Sequence, residues 1–200
     1  MSCNSCGESD MSEILCGHYN LEDGLICFRY GEVDAWKKAK DPIVCIITDY
    51  FNEYLTAEYR GPNDVNVEFL ETKNSLKENT EQKIFMLEKY KTTVSLPGLS
   101  VVFTVSFQEK KFHLYCTLEK EITFKPGQGP IRIEGNKSDV IFVARMFSEG
   151  HNDAYKFESS LHKDHFLAAK EENGKRVLYL KLCPTDVVDE SVRLHVHLQN

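Results

Sequence analysis

His162 and His165 form a His-x-x-His, and His195 and His197 a His-x-His; these spacings could offer paired imidazoles to zinc. Histidines two apart on a strand share a face. Here that face also holds Arg193 and Gln199, so a solvated polar surface accounts for it without a metal. Cys3 and Cys6 make a lone Cys-x-x-Cys, whereas a structural zinc site needs a second pair at a suitable distance. Cys183 could act as a nucleophile only beside a histidine, and no local motif joins the two. Cys116 falls on the apolar side of an alternating run and reads as core. The nucleophile elbow, the Walker phosphate loop and the dinucleotide fingerprint are missing. The chain is therefore expected not to be an enzyme and to require no metal or cofactor.

One stretch does carry the marks of a substrate for another enzyme. Gly31-Glu32-Val33-Asp34-Ala35 has Asp at a cut, Glu two residues before it and a small residue after it, as a caspase requires. Asn20-Leu21-Glu22-Asp23-Gly24 is a second, less well placed match. Both lie in a lead of distinct composition. Residues 1–34 hold seven acids and one base, a net −6 out of the chain's −7. The near-neutral remainder argues against nucleic acid as a main partner, because phosphate binding needs a basic face. The N-terminus has no basic start and no continuous apolar run, so a secretory signal is not expected and the chain should be made in the cytosol. Seven cysteines, an odd number, suit that compartment better than a disulfide framework does. No stretch is long and apolar enough for membrane insertion. Asn136-Lys137-Ser138 is formally a glycosylation sequon, one that a cytosolic chain would not use.

The elements that position these residues read as strands almost throughout. Residues 1 to about 41 show no sustained period; Leu21 to Tyr30 could be a strand or a short helix. From Pro42 onward, runs begin at Ile43, Tyr54, Val65 and Ile84, with Thr72 to Gln82 as an exposed loop. Val101, Phe103, Val105 and Phe107 alternate with Val102, Thr104 and Ser106, and a second run carries Phe112, Leu114, Cys116 and Leu118. These two predict a hairpin. Ile122 and Phe124, then Ile131 and Ile133, flank a Pro-Gly turn. Val140 to Ala144 reads as a buried strand, and Leu194, Val196 and Leu198 alternate in the last run. Asn173-Gly174 is a hairpin turn, since both residues tolerate positive φ, and Leu178, Leu180 and Leu182 then share a face. About twelve such runs without a useful amphipathic helix predict an all-β sandwich or barrel.

The residues between Ser138 and Leu182 also resemble a known signature. Phe157, Ser159, Ser160, Phe166, Leu167, Ala168 and Val177 fit the spacing shared by interleukin-1 family cytokines. Lys163 stands where that signature has Pro, and Ala169 where it has Thr. Lys137 to Phe142, Arg145, Gly150-His151 and Phe157 to Ser160 are similar to one branch of the family, and the likeness runs with gaps from about Pro42. What the resemblance implies is a β-trefoil, a six-stranded barrel capped by three hairpins, over residues 35–200, preceded by an acidic propeptide over 1–34. It further implies cleavage by caspase-1 between Asp34 and Ala35. The cytosolic precursor would then yield a monomeric cytokine, secreted by a leaderless route. Its partners would be a receptor α chain and an accessory chain with immunoglobulin-like ectodomains, together with a soluble binding protein. The implied response is inflammatory signalling and interferon-gamma production. By matching segments, Lys91, Leu99, Asp139 and Arg145 fall on receptor-binding positions. The alternative expectation is an intracellular β-barrel holding a small apolar ligand.

Overall fold

The computed structural model describes residues 18–22, 25–29, 35–71, 80–93, 96–148, 153–184 and 188–199. In the acidic lead, β1 (His18–Glu22) and β2 (Leu25–Arg29) pair antiparallel as a separate two-stranded sheet. Asp34, Asp23, Cys3, Cys6 and most of the 72–82 loop lie outside the described residues.

The rest is strand upon strand. β3 (Ala35–Lys38), β4 (Ile43–Thr48), β5 (Tyr54–Gly61) and β6 (Asp64–Leu70) come first. They are followed by β7 (Phe85–Thr92), β8 (Leu99–Phe107), β9 (Lys110–Cys116), β10 (Ile122–Pro126) and β11 (Arg132–Glu134). β12 (Phe142–Met146), β13 (Ala154–Ser159), β14 (His165–Glu172), β15 (Lys175–Leu182) and β16 (Leu194–Leu198) complete the set. Among the described residues helix is limited to two 3-10 turns, Thr80–Lys83 and Glu190–Val192.

Pairing closes a ring. β4 pairs with β7, β7 with β8, β8 with β12, β12 with β13, β13 with β16, and β16 returns to β4, all antiparallel. Six further strands form three hairpins, β5–β6, β9–β10 and β14–β15, and β11 pairs with β3, which lies against β7. Six barrel strands with three hairpins are the β-trefoil expected above. Asn173 and Gly174 have φ of 53° and 72°, and the turn they make sets an unbroken eight-pair register between β14 and β15.

Closure buries the inner face of β8, with Val101 and Phe103, while the outer face is covered too: Val102 packs with Trp36, Tyr90, Val140 and Ile141, and Val102 and Thr104 are as inaccessible as Val101 and Phe103. Phe103 packs edge-on against Phe142 and Phe157, with centroids 5.7 and 4.9 Å apart, so the barrel axis is filled rather than hollow. The alternative expectation of a ligand-holding barrel has no support there.

Several boundaries differ from the sequence reading. β9 stops at Cys116, leaving Leu118 exposed in a turn, and Ile131 lies exposed just before β11. Val140 and Ile141 are buried but precede β12. Leu182 and Leu198, at strand ends beyond the barrel's cover, are exposed. The residues assigned no regular structure include β3, whose Trp36 is buried with Tyr90, Val102, Val140 and Ile141 in a second cluster.

Candidate functional site

β7 is shared between two neighbours. Its first half pairs with β4 (Ile43↔Leu87), and its last three residues pair with β3, matching Lys38 to Tyr90 and Trp36 to Thr92. β3 and β4 are thus successive segments along one edge, interrupted near Asp41, whose φ is 62°. On the far side β8 matches Tyr90 to Ser100, and Trp36 Nε1 donates to Ser100 Oγ at 3.1 Å.

That register fixes Lys91 and Leu99. Both lie next to the Tyr90↔Ser100 pair and so take the opposite face, the one carrying Leu87 and Phe103 deeper in the barrel. Beyond the filled interior they are exposed, Leu99 by 41%. Gly98 holds the start of β8 against β12: a β-carbon there would lie 2.3 Å from the Ala144 carbonyl oxygen. Leu99 is opposite Ala144, so Arg145 projects to the other face. Its guanidinium is hydrogen-bonded to the Glu158 carboxylate, and that buried carboxylate also accepts from the Asp164 backbone at 3.0 Å. Arg145 is therefore paired with an acid on the neighbouring strand β13.

Asp139 stands apart, six residues before Arg145. Its carboxylate pairs with Lys125 Nζ at 3.1 Å, and Lys125 lies 3.7 Å from the Tyr115 ring centroid. Its carbonyl accepts from Cys116 N at 2.8 Å, which ties this loop to β9. The structure therefore brings Lys91 and Leu99 onto one face, sets Arg145 behind them, and puts Asp139 beside the β9–β10 hairpin. Ala35 opens β3, opposite Glu134.

The residues weighed for chemistry are occupied otherwise. His195 Nδ1 lies 3.2 Å from Asp153 Oδ2, and the imidazole holds that carboxyl below its usual range; His197 Nε2 is 3.1 Å from Thr48 Oγ1. Among the described residues no group of three or more His, Cys, Asp or Glu side chains is placed to hold a metal. Cys45 and Cys116 are buried free thiols, and Cys183 is buried as well. Burial pushes the Cys45 thiol up to about 12 and also raises Cys116, the reverse of a nucleophile's requirement.

Sequence reasoning missed Asp49. This fully buried carboxylate accepts from the Phe51 and Glu53 backbone at 2.9 Å and pairs with Arg176 at 3.0 Å, clamping the β4–β5 turn to β15. An Asp at a strand end two residues before a turn amide was the signal available.

Comparison with known proteins places the chain as a whole. Interleukin-18 of Bos taurus is 40% identical over 123 residues, covering 62% of this chain and 61% of that protein. Interleukin-18 of Gallus gallus is 36% identical over 115 residues, 54% of this chain and 57% of its own. For Homo sapiens the identity is 33% over 110 residues, 55% of each. The chain thus spans about three-fifths or less of the length of these curated relatives. Among solved structures, chicken cytokine interleukin 1 beta superposes with a TM-score of 0.58 at 10% identity, covering 81% of this chain and 99% of that one. A BEL beta-trefoil gives 0.52 at 11%, covering 78% and 93%; likenesses this remote speak for the fold alone. The family model for Interleukin-1 / 18 matches residues 73–191, from the segment before β7 to the turn before β16, and the chain belongs to that family.

Proposed function

We propose that the chain is the precursor of an interleukin-18-like, pro-inflammatory cytokine that acts by binding receptors and performs no catalysis. The observation that carries this reading is the coincidence of the family match over residues 73–191 with a solid trefoil whose free positions are loops and strand ends. A caspase of the caspase-1 type cuts after Asp34, separating the acidic propeptide from residues 35–200. A cut there falls just before β3 and leaves Trp36 and the Lys38–Glu88 ion pair (2.7 Å) with the trefoil, which supports the placement. The product leaves the cell without a signal peptide and joins a receptor α chain to an accessory chain, both through immunoglobulin-like ectodomains, leading to interferon-gamma production. A soluble binding protein competes for the same surface.

Lys91 and Leu99 are exposed side by side and suit direct contact, a charge beside an apolar anchor. Arg145 and Asp139, each already paired, contribute a fixed charge in a set direction. Digestion of the full chain with caspase-1, followed by N-terminal sequencing and receptor binding, tests the reading. A product beginning at Ala35 that binds the α chain is expected, with Lys91→Glu binding at least tenfold more weakly (about 1.4 kcal/mol). A chain left intact at Asp34, or a 35–200 product that binds no receptor of this type, overturns it.

A further inference from the structure

Three neighbouring strands place like charges directly opposite one another. Arg132 of β11 is matched with Lys37 of β3, and Lys37 is matched in turn with Lys91 of β7. All three are exposed, and none has an ion-pair or hydrogen-bond partner for its side chain among the described residues. Lys89 shares the face one step along β7. Like charges in register across a ladder destabilise a sheet. The arrangement is not part of the core, and it concentrates positive charge on a body whose net charge is otherwise close to zero.

We propose that the Arg132–Lys37–Lys91 ladder binds a sulfated polysaccharide. Adjacent strands lie about 4.8 Å apart, so the three cations form a straight row roughly 10 Å long. A row with that repeat matches a linear chain carrying sulfates on successive sugars. A lone phosphate calls instead for converging donors, such as a helix N-terminus or a backbone nest. Single-stranded nucleic acid calls for aromatic stacking platforms, and the exposed positions on this face of β11, β3 and β7 carry none. A tight protein partner needs a buried apolar anchor among the charges; exposed Leu99 of β8 flanks only the Lys91 end of the row, and the exposed positions on this face of β11, β3 and β7 hold no large apolar residue. The inference goes beyond receptor binding and shares only Lys91 with it, so Lys37 and Arg132 are the positions to test.

The full chain is applied to immobilised heparin and to its desulfated form, with affinity measured against salt. Retention on heparin alone is expected, weakening about 30-fold between roughly 50 and 200 mM salt for three contacts. Lys37→Ser and Arg132→Ser should each lower the salt slope by about one, while Lys163→Ser, an exposed lysine on the β13–β14 turn, leaves it unchanged. Lys37→Glu should also raise the Tm by about 1–3 °C as the repulsion is relieved, which separates loss of binding from loss of folding. Absence of retention, retention that survives removal of both cations, or an equal loss with Lys163→Ser overturns the proposal. A Lys37→Ser/Arg132→Ser double variant that keeps heparin but loses the receptor would make the ladder a protein site and would likewise overturn it. Failure of receptor binding with heparin binding intact touches only the cytokine reading.

Discussion

Gly98 has room for nothing larger. An added β-carbon would press on the Ala144 carbonyl at 2.3 Å and on Arg145 Cγ and Val143 Cγ1 at 3.0 Å, so β8 would have to lift from β12. Gly98→Ala should cost about 1–3 kcal/mol in urea unfolding, and Leu99 should shift with it. Trp36, the chain's single tryptophan, offers a second measurement at this scale. It is 1% exposed and donates to Ser100, so Trp36→Ala should cost about 3–5 kcal/mol, and Trp36→Phe clearly less. Its fluorescence reports on β3 docking directly. Neither residue stood out in the sequence. Nothing in Pro97-Gly98 distinguishes it from an ordinary turn, and Trp36 sits in a four-residue strand too short to show a period. What made each indispensable is a neighbour more than forty residues away in the chain.

At the scale of elements, the turn after β15 is held by charge. Lys181 Nζ lies 2.6 Å from Asp189 Oδ2, and Ser191 donates its amide and hydroxyl to Asp189 Oδ1. The Lys181 hydrogen bond, then that of Ser191, holds the Asp189 carboxyl below its usual range, while Asp189 raises Lys181. Because the folded Asp189 value is depressed, its stabilisation is complete above the unfolded value of about 3.9 and is lost as pH falls through the folded one. The raised Lys181 contributes fully below about 10.4, and its share disappears as pH rises through its folded value. Unfolding midpoints between about pH 2 and 5 should fall less steeply for Lys181→Ala than for wild type. Hairpins were the elements best read from sequence, since Asn173-Gly174 dictates its turn locally. The Arg132–Lys37–Lys91 row was invisible because β11, β3 and β7 are far apart in the chain, and only their pairing creates it.

Across the whole molecule, alternation identified the strands of an all-β protein but could not say how they close. Exposed Leu118, Ile131 and Leu198 show the reason: an alternating pattern carries on past the point where the sheet stops giving cover. Residue-by-residue likeness supplied the trefoil, and the six ring pairings agree with it. Lys91 and Leu99 could be picked out by that likeness, whereas their common face and the opposite aim of Arg145 needed the register.

The last of those pairings has a consequence for biosynthesis. β16 is stitched between β4 and β13, and His197 reaches back to Thr48 across 149 positions. Until residues 194–198 have left the ribosome, the nascent barrel stands open along two edges with its phenylalanines unsealed. Assembly is therefore a late, nearly all-at-once event dominated by distant contacts, and a ribosome stalled before that segment leaves a sticky intermediate in need of a chaperone.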